Sequence, residues 1–337
     1  MKAIAYQYSL PITDPLSLQD ITLPDPVASG RDLLVEVRAV SVNPVDTKVR
    51  LGVAPAEGEW KVLGWDAAGI VRAVGPEVTG FRPGDRVWYA GSIARQGSNS
   101  ELQLVDERIV GRMPESLDFA QAAALPLTAI TAWEMLFDRL AIAPGKPANQ
   151  GALLIIGAAG GVGSIMVQLA RRLTALTVIG TASRPQTQEW VKALGAHHVI
   201  DHSQPISAEL QRIGISQVQY AVSLTHTDQH FAEIAQSMAP QGQFGLIDDP
   251  KTIDISLLKR KSVSLHWEFM FTRSLFGTAD MAGQGRLLDE LAGLVDAGLI
   301  RTTVGEHFGT ISAANLRGAH ALLESGQAKG KIVLEGF

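Results

Sequence analysis

The spacing of apolar positions changes twice along the chain. Up to about Val110 they come in short alternating runs: "KAIAYQY" from Lys2, "DLLVEVRAVSV" from Asp32, "GIVRAVG" from Gly69 and "DRVWYA" from Asp85, with "PDP", "GPE" and "RPGD" between them. Alternation cut by Gly and Pro predicts short strands wound into a compact, barrel-like unit. From Ser116, "SLDFAQAAALPLTAITAWEMLFDRL" places apolar residues three and four apart, which predicts helix with Ser116 as its N-cap. Beyond the Pro/Gly linker "APGKPANQG", strands and helices alternate. The strands are "ALLIIGA", "LTVIGTA", "HVID", "QYAVSL" and "GQFGLID"; the helices cover Gly161–Leu173, "PQTQEWVKALGA", "ISAELQRIG" and "DQHFAEIAQSMA". That rhythm predicts parallel βαβ units and a doubly wound sheet of the Rossmann type. From about Lys261 the rhythm stops, and "SVSLHWEFM", a helix over Asp280–Ala297 and a final strand "GKIVLEG" are assigned to the first domain. The expected division is therefore an α/β protein with a β-rich domain, 1–125 completed by 265–337, and a parallel-sheet domain, 126–264.

Composition narrows the function. A chain of 337 residues suits two domains, and its formal net charge of -5 gives no reason to expect nucleic acid or an anionic membrane as partner. It contains no cysteine, so disulfides and thiolate chemistry are excluded and any metal site must be built from His, Asp and Glu. No apolar run approaches the length of a membrane span and the N-terminus lacks the pattern of a signal peptide, so a cytoplasmic protein is expected.

The turn in "LLIIGAAGGVGS" carries the first chemistry. A strand running into a glycine-rich turn and a helix start presents backbone N–H groups to a pyrophosphate. The fingerprint G-x-G-x-x-G aligns with Ala158-Ala159-Gly160-Gly161-Val162-Gly163, its first glycine replaced by Ala158. Gly160 then permits close approach of backbone to the pyrophosphate and Gly163 close packing of helix on strand. Twenty residues past Gly163, where NAD-binding folds carry an acid for the ribose, stands Ser183, followed by Arg184, with no carboxylate between Gly180 and Gln188. A hydroxyl and a guanidinium suit a 2′-phosphate, so NADPH is expected over NADH.

Taken together the motifs resemble the medium-chain dehydrogenase/reductase superfamily, its zinc-free quinone oxidoreductase branch, and within that a bacterial subgroup labelled zinc-type alcohol dehydrogenase-like. The resemblance rests on "VSVNPVDTKVR", "LGWDAAGIVRAVGPEV", "FRPGDRVWYAGS", "ALPLTAITAWE", "GAAGGVGS", "TASRPQT", "HWEFMF" and "KGKIVL" and spans nearly the whole chain. It implies a GroES-like catalytic domain joined to a Rossmann cofactor domain, and a homodimer. It also places Ala159 to Gly163 on the pyrophosphate, His202 with Ser183 and Arg184 on the 2′-phosphate, Thr128 or Thr131 near the nicotinamide, Ser223 and Leu224 beside the cofactor, and Ile247 with Asp248 near the carboxamide.

The three catalytic zinc ligands of the superfamily fall on Asn43, Trp65 and Leu127, none of which is a usual zinc donor, so no metal is expected. Without a Lewis acid, hydride donation to an electron-poor acceptor is easier to support than alcohol oxidation. The resemblance implies NADPH-dependent reduction of a quinone, with an alkenal or enone reductase and a non-catalytic NADPH-binding protein as alternatives. Asn43, Trp65, Tyr89, Leu127 and Phe271 fall at the family's acceptor cleft. Asn43, Tyr89 and Lys48, the last standing where the family commonly has Tyr, are the candidates for a catalytic role. Asp66 is expected in a structural ion pair or cap.

Overall fold

In the computed structural model, which describes residues 1–145 and 151–337, the chain divides into two units, Met1–Ile130 with Phe271–Phe337, and Thr131–Met270. The sequence-based bounds of 125/126 and 264/265 thus move to 130/131 and 270/271. Residues 146–150 of the Pro/Gly linker lie outside the described residues.

Along the chain the first unit supplies β1 (Lys2–Tyr6), β2 (Gln19–Thr22), β3 (Asp32–Val42), α1 (Pro44–Gly52), β4 (Lys61–Val62), β5 (Asp66–Val74), β6 (Arg86–Tyr89), β7 (Leu102–Asp106), β8 (Val110–Arg112), α2 (Phe119–Ala123) and α3 (Pro126–Trp133), the last running into the second unit. The second unit then gives β9 (Ala152–Ile156), α4 (Gly161–Leu173), β10 (Thr177–Thr181), α5 (Pro185–Ala193), β11 (His198–Ile200), α6 (Ile206–Arg212), β12 (Val218–Ser223), α7 (Thr227–Ser237), β13 (Met238–Leu246), α8 (Ser256–Lys259) and β14 (Ser264–Trp267). The chain returns to the first unit with α9 (Thr272–Phe276), α10 (Gly283–Asp296), β15 (Val304–His307), α11 (Ala313–Glu324) and β16 (Lys331–Glu335).

The first unit is built on a mainly antiparallel sheet in the order β15-β16-β3-β5-β6-β8, with β7 also paired to β3. Its central strand β3 alternates buried and half-buried positions before a fully buried end, as expected of a strand with one face on the core. The tail closes this sheet: Ile332 pairs with Val42 and Leu334 with Val40.

The second unit is an all-parallel sheet, order β11-β10-β9-β12-β13-β14, with β9 buried along its whole length and helices following its strands. The strand order reverses between β9 and β12, which is where such sheets bind ligands, beyond the carboxyl ends of the strands.

Three expectations are corrected. The run after Lys261, assigned to the first domain, instead supplies β14, the edge of the parallel sheet, pairing Leu265 with Phe244 and Trp267 with Leu246. An edge strand keeps exposed positions, and Trp267 is 55% exposed, so it lacks the continuous apolar run of a central parallel strand. Ser116 is not the N-cap: the Asp118 side chain accepts from the Gln121 N–H, the Asp118 N–H donates to Gln121 Oε1 in return, and the Ser116 hydroxyl donates to Asp296 at 2.6 Å. The long helical pattern is also interrupted, because Pro126 starts a new helix and α3 then widens into a π-turn over Glu134–Arg139.

That π-turn holds a buried carboxyl pair. Arg139 donates to Glu268 at 2.7 Å and lies 3.8 Å from Glu134, and both carboxylates are buried. Burial, then the charge of Glu134, pushes the pKa of Glu268 above the ordinary carboxylate range. Because the folded state holds this proton more tightly, its contribution to stability is full below the ordinary carboxylate pKa and is lost as pH rises through the raised value. Glu268→Gln should therefore flatten the decline of melting temperature between pH 5 and 8; an unchanged decline assigns it to other groups.

Candidate active site

Four segments of the first unit meet at Asp66. Its Oδ1 accepts the backbone N–H of Leu127 at 2.7 Å, at the start of α3. Its Oδ2 accepts the Asn43 amide at 2.8 Å and the Lys331 ammonium at 2.9 Å. Lys331 also donates to Val42 O at 3.1 Å and to Asn43 Oδ1. Asn43, the N-cap of α1, passes its backbone N–H to Asp46 Oδ2 at 2.7 Å, and Asp46 Oδ1 takes the Gly64 N–H at 2.9 Å. Burial pushes Asp46 up to about 7 against those two donors and Lys331, which favour its charged form. The expected ion pair of Asp66 is present, and Asp66 caps α3 as well.

The structure brings Asn43 and Leu127 together through this carboxylate, and Trp65 precedes Asp66 in the chain. Trp65 is fully buried, donates its indole N–H to Ser92 O at 3.2 Å and meets Phe271 edge to face, ring centroids 5.9 Å apart. Tyr89 lies on β6 opposite Ala67, and its buried hydroxyl has no partner among the described residues. Burial raises its pKa, so it is an uncharged phenol at neutral pH. Lys48 stands exposed on α1. Thr128 donates to Leu125 O at 3.1 Å, and Thr131 follows one helical turn later on α3.

In the second unit, in-register parallel pairing gathers the other candidates at one edge. Gly180 pairs with Ile155, Thr181 with Ile200, Ser223 with Ile156 and Leu246 with Ser223. The glycine turn, Ser183, His202, Leu224 and Ile247 all emerge just beyond these ends. Gly157 has φ +78, and a Cβ on Gly163 would stand 2.5 Å from Ala158 Cα, so both positions require glycine. A Cβ on Gly160 would meet nothing closer than 3.5 Å, leaving the turn open on that side. No side chain caps α4 at Gly160, so the first-turn N–H groups of Gly161, Val162 and Gly163 have no side-chain partner at that end. Ala159 lies within the turn, its carbonyl 3.4 Å from the Ser164 hydroxyl that donates to it. Ser183 and Arg184 are exposed at the start of α5, whereas Ser223 is buried and accepts from Thr227 at 2.7 Å. Ile247 donates its N–H to Ser223 O at 3.3 Å, and Asp248 caps α7 by accepting the Thr227 N–H at 2.9 Å. An open, uncapped glycine turn at the sheet's switch point fits a nicotinamide dinucleotide.

Sequence reasoning missed Asp46, Lys331 and the Glu134–Glu268 pair. Asp46 had a local signal, since it stands three residues after an Asn before an apolar helix. Lys331 had none, because its partner lies 265 residues away.

Residues 29–121 match the alcohol dehydrogenase GroES-like domain and residues 194–334 the zinc-binding dehydrogenase family. A zinc-type alcohol dehydrogenase-like protein of Staphylococcus aureus is 41% identical over 92% of each chain. The crystal structure of a Rhizobium etli protein, described as a zinc-dependent alcohol dehydrogenase, is 62% identical with a TM-score of 0.96, covering 100% of this chain and 98% of that one. Escherichia coli quinone oxidoreductase complexed with NADPH is 25% identical with a TM-score of 0.83, covering 99% of this chain and 100% of that one. The fold and these likenesses define a two-domain, nicotinamide-dependent oxidoreductase. The chain belongs to the medium-chain dehydrogenase/reductase superfamily, in its quinone oxidoreductase-like branch.

Zinc does not fit the residues at the family's ligand positions. Asn43 offers an amide already bonded to Asp66 and Lys331, Trp65 an indole and Leu127 an alkyl chain, while both oxygens of Asp66 are occupied. Among the described residues no group of three His, Cys, Asp or Glu side chains is arranged to hold a metal. Lys331→Met should leave Asp66 buried without its counter-ion and cost about 3–5 kcal/mol in urea unfolding. The double change with Asp66→Leu should recover much of that loss; a single variant as stable as the parent would remove the ion pair from the fold's foundations.

Proposed function

We propose that the protein is a zinc-independent, NADPH-dependent reductase of quinones or similar conjugated carbonyl compounds, acting as a cytoplasmic homodimer. The observation that carries the cofactor half is the pairing of an uncapped glycine turn with an exposed, carboxylate-free strand end bearing Ser183 and Arg184. A guanidinium beside that end favours a 2′-phosphate, and no acid stands within Gly180–Gln188 to repel it. The NADPH bound to the related Escherichia coli quinone oxidoreductase supports the same reading.

NADPH, when bound, supplies a hydride. The first-turn N–H groups of α4 hold its pyrophosphate, and Arg184 with Ser183 holds the far phosphate. Trp65 and Phe271 present apolar ring surface that orients a flat acceptor and excludes water. Lys331 neutralises Asp66 and the Asn43 amide hydrogen-bonds it, so the pair adds no net negative charge against a developing oxyanion. A quinone reduced by hydride takes its second proton from water, so the chemistry needs no acid among Asn43, Lys48 and Tyr89. A simple ketone lacks that ease of reduction and calls for a Lewis acid.

Arg184→Ala should weaken NADPH binding about 10- to 100-fold, the worth of a charged hydrogen bond, and leave NADH nearly unchanged; equal loss of both removes the phosphate role. In steady-state assays of the purified protein, 1,4-benzoquinone and 9,10-phenanthrenequinone should oxidise NADPH faster than 2-alkenals do. A faster alkenal reaction makes the enzyme an enal reductase, and turnover with neither leaves cofactor binding alone. Activity should survive chelation with substoichiometric zinc; one tightly bound zinc per chain overturns the metal-free mechanism.

A further inference from the structure

A cavity of about 150 Å³ lies within the first unit, beside β7. Among the described residues β7 pairs with β3 alone, so its other edge meets no strand. Successive side chains of a strand point to opposite faces, so a space lined by the four consecutive residues Gln103 to Asp106 runs along that edge rather than under one face. Ser92, Arg95 and Arg108 add polar wall, and Ile109 and Met281 add apolar wall. An apolar cavity of this volume holds a benzene ring; the wall here is mixed, and its polar groups do not balance.

Gln103 is 4% exposed and its amide has one orientation: Nε2 donates to Gln96 O at 3.2 Å, which turns Oε1 away, buried and without a partner among the described residues. A buried acceptor that nothing donates to costs free energy, and a donor on a ligand recovers it. The arginines carry the opposite surplus. Arg95 gives its two Nη groups to Asp32 at 2.7 and 3.0 Å, and Arg108 gives Nε and Nη2 to Asp106 at 2.9 and 2.8 Å. A guanidinium has more N–H donors than one carboxylate uses, so both keep donors to spare. Asp32 lies outside the lining, and the wall itself holds two guanidiniums against one carboxylate. Burial works to raise the pKa of Asp106, yet the hydrogen bonds from Arg108 and the charges of Arg108 and Arg95 outweigh it and hold the carboxyl below its ordinary range, so Asp106 stays charged and committed to Arg108.

We propose that this cavity binds a small aromatic hydroxycarboxylate, with its carboxylate on the spare N–H groups of Arg95 and Arg108, its hydroxyl donating to Gln103 Oε1, and its ring against Leu104, Ile109 and Met281. Each part of such a ligand answers one imbalance of the wall. A carboxylate accepts from guanidinium groups more strongly than a neutral oxygen does, a hydroxyl supplies the donor that the buried amide oxygen lacks, and a rigid ring fills the space at little entropic cost. The site goes beyond the reductase reading and is independent of it. Trp65 does not line the cavity but shares its wall: Ser92 O accepts the indole N–H at 3.2 Å, and a Cβ on Gly91 would stand 3.6 Å from Gln103 Nε2 and 3.8 Å from Trp65 Cδ1. Gly91 and Ser92 thus stand between Gln103 and Trp65, and a ligand that loads Gln103 changes the surroundings of that indole.

Calorimetric titration of the full chain with 3-hydroxybenzoate and 4-hydroxybenzoate, against benzoate, 3-hydroxybenzyl alcohol and inorganic phosphate, reads the site. One of the two hydroxybenzoates should bind once per chain. Benzoate, which leaves Oε1 unpaired, should bind about 2- to 10-fold more weakly, the worth of a neutral hydrogen bond, and the uncharged alcohol about 10- to 100-fold more weakly, the worth of a charged one. Gln103→Leu should erase the advantage of the hydroxybenzoate over benzoate while benzoate binds as before. Arg95→Gln, at a side chain 37% exposed, should weaken both acids about equally, with melting temperatures confirming that each variant folds. Binding should also change the tryptophan fluorescence, and Trp65→Phe should lose most of that change. Binding by neither hydroxybenzoate, binding that survives both Gln103→Leu and Arg95→Gln, or phosphate held more tightly than either acid overturns the proposal.

Discussion

The carboxylate of Asp66 is the constraint on which the first unit turns. It ties together the end of β3, the cap of α1, the start of α3 and the last strand, through one backbone N–H, one amide and one ammonium. A charge removed from water at this depth is tolerable only when its partners satisfy it from every side. Two of those tethers, Asn43 and Leu127, stand at positions where the resemblance puts the superfamily's zinc ligands. At these positions the chain has a closed polar knot of Asp66, Asn43 and Lys331.

The second unit solves a different problem with a different device. Its parallel register brings the ends of five strands level, so that residues as distant in sequence as Gly160, Ser183, His202, Leu224 and Ile247 share one edge. Parallel strands joined by helices cannot avoid this arrangement, because each crossover returns the chain to the same starting side. At that edge Gly157 and Gly163 are fixed by backbone geometry, whereas Ser183 and Arg184 are exposed. In the proposed reading, cofactor preference falls to a few exposed residues at that edge, Ser183 and Arg184 among them.

Local features were legible in the sequence. The glycine turn, the missing acid after β10 and the βαβ rhythm each need only neighbours in the chain, and the helix over Gly161–Leu173 stands at the predicted bounds. What resisted reading was either long-range or at an edge. Lys331 reads as an ordinary lysine in an apolar strand until β16 is placed against β3. β14 looks like half-buried antiparallel strand because an edge position relaxes the demand for continuous apolar residues. Ser116 and Asp118 are both good caps, and the reciprocal bond with Gln121 decides between them. Asn43, Trp65 and Leu127 could be grouped only by resemblance; Asp66 supplies the physical reason Asn43 and Leu127 meet.

The closing of the first sheet by the tail carries a consequence for synthesis. The second unit, Thr131–Met270, is inserted into the first, so the ammonium that balances Asp66 is translated 265 residues after it. At typical rates of about 5–20 residues per second, the carboxylate waits roughly 13 to 50 seconds for its partner. During that interval β3 lacks β16, and its exposed edge is open to pairing with another chain. The inserted unit has all its strands by then and is able to fold first. Until then the nascent first domain is a half-made structure holding an unpaired charge, and the emergence of Lys331 and β16 is what completes it.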